Sequence, residues 1–156
     1  MNQLSILIPT YNNVCLELVK TLQAQASLLP DFDYEILVAD DGSTDKTTVE
    51  INHTINKLPH CSYIEREKNV GRAVIRNFLA KEAKYEWLLF IDSNMNVINT
   101  QYLANYQYSK ECDVIYGGYQ VKRNQENLRY NLRYIFECKG TQNGDYRQRQ
   151  ENPYGD

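Results

Sequence analysis

Four short polar clusters along the 156-residue chain carry residue types able to do chemistry. The first is Ile8-Pro9-Thr10-Tyr11-Asn12. Pro9 has no amide hydrogen and is expected to end a strand there. Tyr11 is then placed to lay a flat ring against a planar ligand such as a nucleobase; the alternative is a strand-end turn with a surface tyrosine. The second is Val38-Ala39-Asp40-Asp41-Gly42-Ser43-Thr44-Asp45. Adjacent carboxylates repel, a cost unless a ligand or cation uses them, and one carboxylate can accept from a base N–H or a ribose hydroxyl. Gly42 permits a sharp turn, and Ser43 with Asp45 can cap a following helix. A turn with a capping box explains those three residues but not both Asp40 and Asp41.

The third cluster runs from Asn69 to Asn77 and holds Gly71, Arg72 and Arg76. Gly71 opens a helix whose amino end attracts anions. Arg72 and Arg76 lie one turn apart, within common reach of a diphosphate. The alternative pairs them with acidic neighbours on a solvated face. The fourth is Phe90-Ile91-Asp92-Ser93-Asn94-Met95. Asp92, with an oxygen ligand two residues on at Asn94, is a pattern that can hold a divalent cation bridging to a leaving diphosphate.

The elements needed to position these clusters are short. Leu4–Ile8, Tyr34–Ala39, Cys61–Ile64 and Trp87–Ile91 read as strands, the last apolar throughout as if covered on both faces. Val14–Leu29, a segment carrying Val49, Ile51 and Ile55 capped by Ser43 or Thr44, and Arg72–Ala83 read as helices. Such alternation predicts a Rossmann-like α/β fold with a mostly parallel sheet and right-handed crossovers. Ligands on such sheets sit beyond the carboxyl ends of the strands, where three of the clusters converge. Residues 1–121 are read as the binding core and 122–156 as the start of a second region. Gln101–Lys110 is a further predicted helix, followed by a strand at Val114–Val121 and a helix at Asn124–Cys138. Gly140–Asp156 reads as an irregular tail.

Composition removes several alternatives. A formal net charge of -3 leaves no broad cationic field for nucleic acid. Cys15, Cys61, Cys112 and Cys138 form no CxxC pair, so a structural zinc site is not expected. The longest apolar run, Trp87–Ile91, is too short to cross a bilayer. The N-terminus lacks a signal-peptide pattern, and a reduced, cytoplasmic chain with free thiols is expected. Tyrosine is unusually frequent, 13 against 4 Phe and 1 Trp, which suits half-wet surfaces such as a groove or interface.

In combination and in this order, the four clusters resemble the family 2 glycosyltransferases over Leu4 to about Val121. The resemblance implies an inverting enzyme of the GT-A fold. It would transfer a sugar from a nucleoside-diphosphate donor, UDP first, to a saccharide or lipid-linked acceptor in cell-surface polysaccharide synthesis. Pro9, Thr10 and Tyr11 would line the base pocket, Asp40 would accept from the base, and Asp41 would sit at the pocket edge. Gly71 and Arg72 would lie near the ribose and diphosphate, with Arg76 in support. Asp92 would hold the ribose or, with Asn94, a metal, Mg²⁺ or Mn²⁺. The family usually reads Asp-x-Asp-Asp where this chain reads Asp92-Ser93-Asn94-Met95, so the neutral Asn94 weakens cation binding. The family's general base is an acidic residue far downstream, expected beyond Asp156. A truncated enzyme is therefore expected, with peripheral membrane association confined to the missing region. A non-catalytic nucleotide-sugar-binding relative is the alternative. A nucleotidyltransferase is disfavoured because Pro9-Thr10-Tyr11-Asn12-Asn13 has no glycine.

Overall fold

The computed structural model describes residues 2–107. Within them the chain alternates strand and helix: β1 (Gln3–Thr10), α1 (Leu16–Ser27), β2 (Asp33–Asp40), α2 (Lys46–His53), a 3-10 turn (Thr54–Lys57), β3 (Cys61–Glu65), α3 (Arg72–Glu82), β4 (Leu88–Phe90) and α4 (Tyr102–Gln107). The strands form one four-stranded sheet in the order β3-β2-β1-β4, and every pairing is parallel. The expected Rossmann-like core is therefore present. The predicted strand at 114–121, the helix at 124–138, the tail at 140–156 and the boundary at 121 lie outside the described residues.

Period-2 alternation in β1 divides the core between the two faces of the sheet. Leu4, Ile6 and Ile8 pack with Ile36 and Val38 of β2 under Leu18, Val19 and Leu22 of α1. Leu7 on the opposite face packs with Leu37, Ala39 and the α3 residues Ile75 and Leu79. Each of these is at most 7% exposed. Truncating one such side chain to alanine costs about 2–5 kcal/mol.

Three expectations are corrected. Pro9 does not end β1, which continues to Thr10 with Pro9 opposite Ala39. The ladder explains this. Ser5 N–H donates to Trp87 and Leu7 C=O accepts from Ile91, so odd-numbered residues of β1 face β4. Pro9 faces the same way, past Phe90 where β4 has ended, and its missing N–H costs no ladder bond.

The second correction is α2. Its buried residues are Thr48 and Asn52, while Ile51 is 36% exposed. The helix docks through polar contacts: Asn52 accepts from Cys15 N–H at 3.0 Å and donates to Asn13 C=O at 3.0 Å. Of the residues expected to cap it, Asp45 does so, accepting from Thr47 N–H at 3.1 Å, and Ser43 and Thr44 do not. The third is β4, three residues long and at the sheet edge among the described residues. Leu88 and Phe90 are each 38% exposed, so among the described residues one face of the strand is left uncovered. No helix among the described residues is long and apolar enough to cross a membrane.

Candidate functional site

A cleft of about 510 Å³ opens beyond the carboxyl ends of β1, β2 and β4. Of the residues expected at a donor site, Pro9, Thr10, Tyr11, Asp41, Gly71, Arg72, Arg76, Asp92 and Asn94 line it. Asp40 does not.

The two aspartates separate because consecutive residues on an extended chain point to opposite sides. Asp40 is fully buried; it accepts from Ser43 N–H at 2.7 Å and, by a short hydrogen bond, from the Tyr63 hydroxyl. Burial, reinforced by the Asp40 carboxylate, pushes the Tyr63 hydroxyl far above its ordinary range and keeps it a neutral donor. Both Asp40 oxygens are thus engaged inside the fold, so the expected contact between Asp40 and a base is corrected to a structural role. Asp41 accepts from Val70 N–H and Gly71 N–H, each at 2.9 Å, one on each oxygen. The argument that the pair needs a ligand or cation therefore fails: protein donors satisfy both carboxylates.

Asp41 and Gly42 together clasp the turn before α3. Gly42 has φ +74, and a Cβ there would lie 2.6 Å from the backbone of both Lys68 and Asn69, so only glycine lets the two loops touch. Gly71, the N-cap of α3, has φ +92, but a Cβ there would meet nothing within 4 Å. Its glycine serves backbone conformation and leaves the cleft wall open. The first N–H groups of α3 have no partner within the helix, and the Asp41 carboxylate already takes the N–H of its N-cap, Gly71.

Arg72 and Arg76 converge on Asp92 from consecutive turns of α3. Arg72 donates to Oδ2 at 2.8 Å, and Arg76 forms a short ion pair with Oδ1. Arg72 is 75% exposed along its side chain, Arg76 25% and Asp92 29%. Arg76 with Asp92 is a half-sheltered, oriented pair, while Arg72 stands at the solvent side. The arginines thus do pair with an acidic neighbour, but inside the cleft rather than on a remote solvated face.

This geometry bears on a metal. A divalent cation on Asp92 and Asn94 would find one carboxylate, with both oxygens already accepting from guanidinium groups, and one neutral amide. Among the described residues no three of His, Cys, Asp and Glu are grouped to hold a metal ion. Among the described residues, Asp92 and Asn94 alone do not fit Mg²⁺ or Mn²⁺, because two guanidinium groups already sit on the one carboxylate.

Two consecutive asparagines, not singled out by the sequence reading, fix the cleft walls relative to one another. Asn12, at φ +47, receives Thr44 N–H at 2.8 Å and Asp45 N–H at 3.1 Å on its side-chain oxygen. Its own N–H donates to Ser43 Oγ at 2.7 Å. Asn13 donates to Ser93 C=O at 2.8 Å, tying β1 to the loop after β4. The available signal was the residue type: an amide offers donor and acceptor together, and asparagine tolerates left-handed backbone. Tyr11, 47% exposed, presents its ring beside these anchors. The buried thiols take no part: burial pushes Cys15 up to about 12 and Cys61 to about 11.

The model for "Glycosyl transferase family 2" matches residues 5–155. The chain belongs to this family. Among curated glycosyl transferase family 2 relatives, the poly(ribitol-phosphate) beta-glucosyltransferase of Bacillus spizizenii is 38% identical over 112 residues, covering 70% of this chain and 17% of that protein. The poly(ribitol-phosphate) beta-N-acetylglucosaminyltransferase TarS of Staphylococcus aureus is 35% identical over 108 residues, covering 67% of this chain and 18% of that protein. A crystal structure of S. aureus TarS 1–349 in complex with UDP-GlcNAc superposes with a TM-score of 0.55 at 33% identity, covering 67% of this chain and 30% of that one. This family 2 chain thus spans less than a fifth of the length of those two curated relatives.

Proposed function

We propose that the cleft binds the nucleoside diphosphate of a sugar donor, UDP first, and that the protein transfers the sugar with inversion to a saccharide or lipid-linked acceptor. The observation that carries this reading is the convergence, beyond one sheet edge, of an exposed aromatic ring, a helix amino end and a cationic side chain. A nucleobase is planar and a diphosphate anionic, and the cleft offers Tyr11 to the first and Arg72 with the α3 amino end to the second. The complex of TarS with UDP-GlcNAc, a family relative at 33% identity, supports UDP as the nucleotide. The poly(ribitol-phosphate) transferases among the relatives support a polymer acceptor of that kind.

In this reading Asp92 holds the ribose hydroxyls in the orientation Arg76 imposes, and Asp41 shapes the pocket edge through the turn it clasps. Inversion requires a base to deprotonate the acceptor hydroxyl as it attacks the anomeric carbon. Asp41 and Asp92, the carboxylates lining the cleft, have both oxygens engaged, so the base is supplied from outside the described residues. The same observation favours a second reading, a nucleotide-sugar-binding relative without transfer activity.

Thermal unfolding of the chain with UDP, GDP and dTDP tests the site. Saturating UDP at about 100 times its Kd adds about 2.7 kcal/mol of stability by mass action, a rise in Tm of several degrees. No shift with any of the three at millimolar concentration overturns the proposal. Hydrolysis of a UDP-sugar by the protein would rule out the non-transferring alternative.

A further inference from the structure

We propose that the cleft holds the diphosphate of its nucleotide through the Arg72 guanidinium, independently of any divalent cation, with Asp92 kept on Arg76 as a positioning residue. This rests on reading the cleft as a nucleoside-diphosphate site and specifies what neutralises the phosphates there. The argument is one of exchange. A cation arriving at Asp92 must displace two guanidinium groups from the carboxylate and then sit beside both, with their charges uncompensated. A diphosphate displaces only the contact between Arg72 and Asp92. Arg72 trades one anion for another, and its 75% exposed side chain is free to turn.

Arg76 keeps Asp92 throughout, since that pair is the sheltered one. Asn94 completes the case. Its amide makes no hydrogen bond among the described residues, lines the cleft and is exposed. An amide brings no charge to a cation, but its N–H₂ donates to a phosphate oxygen, which a carboxylate at the same position would repel.

Calorimetric titration of the 156-residue chain with UDP, once in EDTA and once in Mn²⁺, separates the possibilities. The expected result is binding in both buffers with Kd values within about threefold of each other, a difference below 1 kcal/mol. Arg72→Gln is expected to weaken UDP binding in EDTA about tenfold, with Tm in the absence of nucleotide unchanged. Tightening of the wild-type chain by Mn²⁺ of about threefold or more overturns the inference, and so does undiminished UDP affinity in Arg72→Gln. Absence of UDP binding in both buffers is a different failure: it removes the nucleotide site itself, and the inference with it.

Discussion

The two aspartates at the end of β2 differ by one position and serve opposite ends. Asp40 turns inward to Ser43 and the Tyr63 hydroxyl, while Asp41 lines the cleft and grips the turn that begins α3. The same division runs through the whole site. On one side Asn12, Asp41 and Ser43 spend their hydrogen-bonding capacity on protein partners. On the other, the Tyr11 hydroxyl and the Asn94 amide make no hydrogen bond among the described residues, and Arg72 holds an exchangeable contact. Saturated polar groups build the cleft; unsaturated ones are left to meet a ligand.

That contrast predicts which substitutions destroy the fold and which only the binding. Gly42→Ala should have the largest effect, about 2–5 kcal/mol of lost stability, because left-handed backbone strain adds to a clash with the Lys68–Asn69 backbone. Denaturant unfolding measures it. Tyr63→Phe leaves a buried Asp40 oxygen without a donor and should cost about 1–3 kcal/mol, with UDP affinity of the folded protein unchanged. Loss of affinity without loss of stability would place Asp40 in the cleft after all.

The open side should behave in reverse. Tyr11→Ala should weaken UDP binding by about 1–3 kcal/mol, the range for stacking a base on an aromatic ring, while Tm in the absence of nucleotide stays put. Asn94→Ala should have the smallest effect, a loss of about 0.5–1.5 kcal/mol in UDP binding and none in stability. A larger stability effect at either residue would mean that the open side also carries the fold.

The sheet was legible because buried parallel strands read as apolar runs: β1, β2 and β3 were located to within two residues at either end. Pro9 misled because the cost of a missing N–H depends on whether a neighbour remains to receive it, which sequence does not display. Val49 and Ile51 misled because α2 buries a polar face against the loop after β1. At the site, types and order of residues sufficed to name Pro9, Thr10, Tyr11, Asp41, Gly71, Arg72, Arg76, Asp92 and Asn94 as lining positions, but not Asn12, Asn13, Asn69, Ile75 or Ser93. Their pairing did not follow from sequence. Asp40 and Asp41 are told apart by strand alternation, and Arg72, Arg76 and Asp92 are joined only once α3 packs on β1 and β2. The asparagines were passed over because a capping amide is recognised by its partners, which come from loops some 30 and 80 residues away.

The most direct test of the division is UDP titration of three chains side by side: wild type, Tyr11→Ala and Tyr63→Phe. A nucleoside-diphosphate site on the open side predicts saturable binding by the wild type, weakening of about fivefold or more in Tyr11→Ala, and wild-type affinity in folded Tyr63→Phe. Undiminished binding by Tyr11→Ala, or no binding by the wild type at millimolar UDP, would contradict it.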